Sequence, residues 1–278
     1  MTDISILDSV VLGVVEGLTE FLPVSSTGHL TIVEKMLDLP IDDKGVTAFT
    51  AIIQTGAIAA VLVYFFRDIV RIVKAWVSGL YRPEVRGTFD YRFGWFVIWG
   101  SLPIAVIGFL LRDLISGSLR SLWVVAVALL AWSVVMVYAE RRATQARPER
   151  SITLTDALVI GLVQCIALVP GISRSGATIS AGLLRGLDRV AATRLSFFLS
   201  IPALTGAGLY ELKDAVRESV PVGALLVGTA VSFVVAYGSI AWLLRFVAGH
   251  PITLFVPYRV ALGGVLIGLL ATGVVSAT

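Results

Sequence analysis

The chain has 278 residues, of which 57% are hydrophobic and 15% charged, and its mean hydropathy is +0.91. Soluble domains carry about 25% charged residues, so this composition excludes an ordinary soluble domain and points to a polytopic helical membrane protein. The net charge of +3 comes without a basic–aromatic pattern, which argues against nucleic acid as a partner and leaves loop orientation as its meaning. The lone Cys165 lies in an apolar run and reads as a small core residue. The first ten residues carry Asp3 and Asp8 and no Lys or Arg, which does not read as a secretory signal.

In chain order, the uncharged runs 9–15 and 21–33 are both too short to cross a bilayer, and Glu16 and Glu20 divide them. A first full span is expected at about 45–66. The polar, basic segment Arg67–Arg92 follows, with Ile69, Ile72, Val73, Trp76 and Leu80 at helical spacing, the pattern of a helix lying in the interface. Spans at about 93–111 and 121–139 come next. Residues 141–152, with Arg141, Arg142, Arg147 and Arg150, form a polar cytoplasmic linker between two halves.

The second half opens like the first. An uncharged run carrying Pro170 and Gly171 is broken by Arg174 and followed by another short run to Leu184. Spans are expected at about 190–212, 219–245 and 256–276. Gly13-Val-Val-Glu16 echoes Gly161-Leu-Val-Gln164, and Ser25-Ser-Thr-Gly28 echoes Ser173-Arg-Ser-Gly176, both at an offset of 148. The expected fold is all-α, with two repeats, 1–140 and 153–278. Each holds a broken pair (about 6–39 and 155–186) that dips in and returns, plus three spans. Three crossings per repeat invert the second relative to the first, the arrangement in which interrupted helices meet near the midplane and build a site.

Loop charge is an independent test. One side takes fifteen Lys and Arg from residues 67–92, 141–156, 185–194 and 245–259; the other takes six: Lys35, Lys44, Arg112, Arg120, Lys213 and Arg217. The positive-inside rule then places both termini outside the cytoplasm.

The polar groups inside the broken pairs carry the chemistry, because polar side chains in an apolar slab are costly unless they are paired or face a cavity. Glu16 and Glu20 are one helical turn apart and share a face, so a divalent cation such as Mg²⁺ or Ca²⁺ is a natural partner. The alternative is a helix cap or an interhelical hydrogen bond. Pro23-Val-Ser-Ser-Thr-Gly-His29 reads as a break and restart, with Pro23 in a first helical turn and Ser25, Ser26 or Thr27 as cap. Backbone N–H groups at that start favour an anion such as phosphate. Ser26 and His29 are three residues apart and in outline form a nucleophile–imidazole pair. Arg174 offers a bidentate fork for phosphate, and Ser173, Ser175 and Thr178 add hydroxyls; Arg174 as counter-ion to Glu16 or Glu20 is the competing reading. Gln54, Tyr64 and Trp76 read as packing or interface residues, and His250 as an interfacial one.

The segments Glu16-Gly-Leu-Thr-Glu-Phe-Leu-Pro-Val-Ser-Ser-Thr-Gly-His29 and Pro170-Gly-Ile-Ser-Arg-Ser-Gly-Ala-Thr178 resemble the two signature motifs of the undecaprenyl-pyrophosphate phosphatase family, also called bacitracin-resistance proteins. The resemblance covers essentially the whole chain. It implies a metal-dependent hydrolase of the bacterial plasma membrane that removes one phosphate from undecaprenyl pyrophosphate, recycling the lipid carrier of cell-wall peptidoglycan synthesis through a site open to the outer side. It also implies roles: Glu16 and Glu20 at the metal and acid/base positions, Ser26 as proposed nucleophile and His29 as essential histidine. It further implies that Arg174 binds phosphate, supported by Ser173, Ser175 and Thr178, with Ser25 and Thr27 at the other helix start. The superfamily of lipid phosphatases with two catalytic histidines is disfavoured, because no histidine follows Arg174 until His250.

A transporter or flippase of a polyprenyl phosphate is the competing function, since inverted repeats with broken helices are also a transporter signature. The Ser26–His29 pair favours an enzyme. The sequence leaves the nucleophile open between Ser26, His29 and water. It fixes no oligomeric state, and a homodimer is one arrangement open to the chain.

Overall fold

The computed structural model describes residues 4–41, 43–111, 114–115, 119, 121–218 and 220–277, without the side chains of 211–216. Arg112, Arg120 and the Lys213 side chain, used in the charge count above, lie outside the described residues. Eleven α-helices are described: α1 (Ile6–Thr19), α2 (Ser26–Met36), α3 (Lys44–Tyr64), α4 (Phe66–Tyr81), α5 (Phe89–Leu110), α6 (Leu122–Arg142), α7 (Leu154–Gln164), α8 (Arg174–Leu184), α9 (Arg189–Arg217), α10 (Val222–Gly249) and α11 (Val256–Ala271). Six helices, in or containing α3, α5, α6, α9, α10 and the stretch Ile252–Ala271, are long and apolar enough to cross a membrane. The protein is therefore an all-helical polytopic membrane protein. At 1.5 Å per residue, α1 and α2 reach only about 21 and 16 Å, short of a hydrocarbon core of about 30 Å.

Local features recur at the 148-residue offset. Helices α2 and α8 have bounds that differ by 148, and so do their caps. Ser25 and Ser173 both sit at φ 78°, and each hydroxyl accepts from the backbone N–H three residues on, Gly28 and Gly176. A non-glycine residue at such a φ costs roughly 1–3 kcal/mol and persists only where its surroundings hold it. The capping box of α1, Ser5 with Asp8, matches that of α7, Thr153 with Asp156. Packing crosses between halves: α1 lies along α10, and α7 along α5. Close approach needs glycine at equivalent places. A Cβ on Gly13 would stand 2.6 Å from the Gly228 carbonyl oxygen, and one on Gly161 would stand 2.0 Å from that of Gly100.

Two sets of connections gather at different places. Ile4, Leu39 and Val220 share one apolar cluster. Elsewhere ion pairs tie together segments that the sequence assigns to one side. The buried Asp156 carboxylate receives Arg147 at 2.6 Å and Arg185 at 2.8 Å. Arg194 bridges Asp68 and Glu149, both at 2.9 Å. Glu140 pairs with Arg189 and accepts from the Ile252 N–H at 3.1 Å. Partial burial alone would raise the Asp68 carboxyl, but hydrogen bonds and charge from Arg194 and Arg71 prevail and hold it below its usual value. Its stabilising contribution is present above the ordinary carboxylate range and is lost as pH falls through the lowered value.

Helix α4 follows α3 directly and is amphipathic as expected. Ile72 and Gly79 are buried, while Phe66, Val73 and Val77 are exposed. Two expectations need correcting. Pro23 is not in a first helical turn: it lies in the break between α1 and α2, because the strained Ser25 takes the cap and the helix starts at Ser26. Arg259 is not a loop cation: it sits inside α11, fully buried, because backbone carbonyls of the helix breaks surround its guanidinium.

Gly161→Ala tests the cross-packing. The added carbon has nowhere to go, so detergent-solubilised protein should lose about 1–3 kcal/mol of stability and melt several degrees lower. Gly264→Ala, with open space around it, should melt unchanged.

Candidate functional site

The two helix breaks face each other. Ser25 Oγ, while capping α2, also accepts from the Gly171 N–H of the other break at 3.1 Å. In return Ser175 Oγ donates to the Leu22 carbonyl at 2.8 Å, and Ser173 Oγ does so at 3.4 Å. Hydrogen bonds from each strained corner therefore hold the other in place.

Between the breaks lies a charged constellation. Glu20 follows the last turn of α1 and is buried, accepting from three directions. Arg174, the first residue of α8, donates to Oε1 at 3.0 Å. Ser26, the first residue of α2, donates its hydroxyl to Oε2 at 2.5 Å. Gln54 of α3 donates to the same oxygen at 3.2 Å. Arg174 also donates to the Ser196 carbonyl at 3.3 Å, while its Nε is buried without a partner. The guanidinium stands 6.0 Å from the Phe21 ring centroid. One turn before Glu20, Glu16 is fully buried, and neither carboxylate oxygen meets a hydrogen-bond donor.

The remaining residues divide between site and scaffold. Thr178 Oγ1 donates to the Arg174 carbonyl at 2.9 Å and bonds Ser196 Oγ at 2.6 Å, which steadies the first turn of α8. Ser25, Ser173 and Ser175 spend their hydroxyls on caps and on the opposite break. Thr27 is exposed beside them. His29 does not bond Ser26: Nδ1 meets the Ser25 carbonyl and Nε2 meets the Tyr258 hydroxyl, each at 2.6 Å. In this arrangement the group that accepts the Ser26 hydrogen bond is Glu20.

Three residues escaped the sequence reading. Gln54, expected to be a packing residue, touches Glu20, because α3 passes behind α1 and turns that face inward. Tyr258 and Arg259 reach the site from α11, more than 200 positions along the chain from the first motif. The signal for Arg259 was a lone cation near the start of an apolar span; snorkelling to the membrane edge is the ordinary reading of that pattern.

Arg174 also forms part of the wall of a cleft of about 430 Å³ between α5 and α9, otherwise lined by apolar groups such as Ile104, Phe109, Leu168 and Ala207. A cation in the wall of a mostly apolar cleft suits an amphiphile with an anionic head. Fold and site together define a polytopic membrane protein whose paired helix breaks enclose carboxylate, hydroxyl and guanidinium groups arranged for phosphate chemistry.

The bacitracin resistance protein BacA family matches residues 9–265. The chain is 59% identical to undecaprenyl-diphosphatase 1 of Frankia alni over the full length of both chains. It is 57% identical to undecaprenyl-diphosphatase 1 of Streptomyces avermitilis, covering 99% of this chain and 100% of that one. To the undecaprenyl-diphosphatase of a Mycobacterium species it is 50% identical, over 98% and 99% of the two chains. The chain belongs to the BacA family.

Gln54→Leu removes one of the three donors on Glu20 at similar volume. Phosphate release should fall about 10-fold, in keeping with a hydrogen bond to a charged group, with normal expression and melting; wild-type turnover would show that Gln54 only packs.

Proposed function

We propose that this protein is an integral-membrane hydrolase that cleaves undecaprenyl diphosphate to undecaprenyl phosphate and inorganic phosphate, returning the lipid carrier to cell-wall synthesis. The observation that carries the reading is the Ser26 hydroxyl donating to Glu20 Oε2 at 2.5 Å while Arg174 holds the other carboxylate oxygen. A hydroxyl in contact with a buried carboxylate is a nucleophile beside its base, and a transport site has no use for that pair. The family relationship favours the same side, since the relatives compared above are named as diphosphatases.

The prenyl tail lies along the apolar cleft, and the diphosphate meets Arg174 and the N-termini of α2 and α8. Ser26 Oγ attacks the terminal phosphorus as its proton passes to Glu20. The P–O bond to the inner phosphate breaks, and undecaprenyl phosphate leaves. Water then cleaves the phosphoserine, releasing phosphate and restoring the hydroxyl. Arg174, with its free Nε, and the backbone N–H groups stabilise charge on the transferring group. In the second step Glu20 returns its proton to Ser26 Oγ, and His29, one turn into α2, steadies the start of that helix through the Ser25 carbonyl.

Glu16 fits a divalent cation, Mg²⁺ or Ca²⁺, because its buried oxygens lack any donor. No cluster of three or more His, Cys, Asp or Glu suited to a metal occurs among the described residues. Glu16, with Glu20 one turn on, would hold the ion through carboxylate oxygens, the ligand type Mg²⁺ prefers. Such an ion neutralises phosphate charge.

The membrane arrangement we infer is two inverted repeats, 1–140 and 153–278, joined by the linker 141–152. Each has a re-entrant pair and three spans, with both termini and the site on the non-cytoplasmic side of the bacterial plasma membrane. Supporting this are the offset of 148 shared by caps and helix bounds, the crossed packing, and the clustering of Ile4 with Leu39 and of Asp156 with Arg185. Removing Arg259 from the loop count still leaves fourteen cations against six.

Purified protein in detergent should release phosphate from a polyprenyl diphosphate and stop when a chelator is added. Ser26→Ala should lose at least 100-fold. Glu16→Gln should shift the metal concentration for half-maximal rate upward by 10-fold or more. Undiminished turnover in Ser26→Ala would sink the serine route, and chelator-resistant release would sink the metal assignment.

A further inference from the structure

Arg259 and its neighbour Tyr258 have no part in the reaction as written above, yet they touch it from two directions. The Arg259 side chain is fully buried, and among the described residues its hydrogen bonds reach no carboxylate. Its fork is spent on neutral oxygens. Nη1 donates to the Pro23 carbonyl at 3.1 Å, in the first break. Nη2 reaches the carbonyls of Gly171 at 3.0 Å and Ile172 at 3.2 Å in the second break, and that of Leu129 on α6 at 3.3 Å. Nε donates to Ser133 Oγ at 3.2 Å. Depth follows from the helix rise. Ile252 meets Glu140, and Arg259 meets Ser133, seven residues deeper on each helix, or roughly 10 Å further into the bundle.

A buried arginine is costly unless all its donors are used. Here Nη1 and Nη2 bind three carbonyls that turn outward where the helices break, and Nη2 and Nε also reach Leu129 and Ser133 of α6. Each break strands carbonyl oxygens on one side and aims the next helix's N–H groups at the other. Holding the stranded carbonyls of both breaks on one rigid guanidinium therefore fixes the angle at which α2 and α8 point into the site. Ser26 and Arg174 are the first residues of those helices.

Tyr258 treats His29 in a complementary way. The Ser25 carbonyl can only accept, so Nδ1 of His29 carries the proton. The neutral ring then accepts at Nε2, and the Tyr258 hydroxyl is the donor. The rings also lie nearly parallel, with centroids 5.5 Å apart and an interplanar angle of 14°. His29 is buried, while Tyr258 is 50% exposed.

We propose that Tyr258 and Arg259, adjacent on α11, are the positioning element of this phosphatase: Arg259 clamps both helix breaks so that their N-termini converge on the diphosphate, and Tyr258 holds the Nε2 edge of the His29 ring, whose Nδ1 edge the Ser25 carbonyl holds. The proposal rests on the phosphatase reading, and its tests separate the two.

Arg259→Lys keeps the charge but replaces the fork with a single nitrogen that cannot hold both breaks. Turnover per folded molecule should fall about 100-fold, the scale of an ångström-sized misplacement. Folded protein is counted by size exclusion and thermal melting. Arg245→Gln, an exposed cation of α10, should match wild type. If the lysine variant is too unstable, Arg259→Ala supplies the answer: added guanidinium ion should restore at least 10-fold of the lost rate, saturably, whereas ammonium should not. Full activity in Arg259→Lys, or equal rescue by both ions, overturns the clamp.

For Tyr258, the chain's two histidines allow direct observation. With ¹⁵N-labelled histidine, the wild type should show His29 as the Nδ1–H tautomer. Tyr258→Phe should keep that tautomer, move the His29 Nε2 resonance as its donor is lost, and lower kcat about 5-fold with little change in KM, leaving the His250 signals unmoved. An unchanged His29 spectrum overturns this half. Absence of phosphate release from wild-type protein, with the His29 Nε2 resonance still dependent on Tyr258, would instead count against the phosphatase reading and leave the positioning geometry standing.

Discussion

The structure depends on one buried ion pair, Glu20 with Arg174. The two residues are 154 positions apart, on opposite helix breaks, and their side chains meet at 3.0 Å with almost no exposure. A buried pair of this kind is weak evidence for stability, because desolvating both charges offsets most of their attraction. Removing one partner is a different matter, since the survivor is left charged and unpaired. The pair therefore acts as a register constraint: it is satisfied only when both breaks face each other at one depth. The glycine contacts, crossed helices and strained serines are what that meeting requires.

The pair also explains how two similar halves do different work. Both have a capping box, a short helix, a serine at φ 78° and a second short helix, all 148 residues apart. Within that shared frame the side chains diverge. Glu16 is matched by Gln164, and Ser26 by Arg174. One half contributes acids and a hydroxyl, and the other a cation. Gln164 is as fully buried as Glu16, and its amide likewise lacks a partner. The position stays polar in both halves while the charge is kept in only one.

Much of this was legible in the sequence, and the physical reason is the membrane. In an apolar chain every polar island stands out, so Glu16, Glu20, Ser26 and Arg174 announced themselves, as did the six long spans and the amphipathic α4. What stayed hidden was set by tertiary contact. Gln54 looked like packing because nothing local shows that its amide meets Glu20 across a helix pair. Arg259 was counted as a loop cation, because its partners are carbonyls, which every residue has and no sequence pattern marks. The spacing of Ser26 and His29 suggested a pair. The chain turns the histidine toward Ser25 and Tyr258 instead, and gives the serine to Glu20.

The central claim is that Glu20 and Arg174 act as one unit across the two halves, and a double-mutant cycle on phosphate release tests it most directly. Glu20→Gln, Arg174→Gln and the double variant would be compared with wild type at saturating polyprenyl diphosphate, per folded molecule. The account predicts strong non-additivity: the double variant should be no slower than the worse single one, a coupling of about 2 kcal/mol or more. Additive losses, with the double variant slower by the product of the single effects, would contradict it.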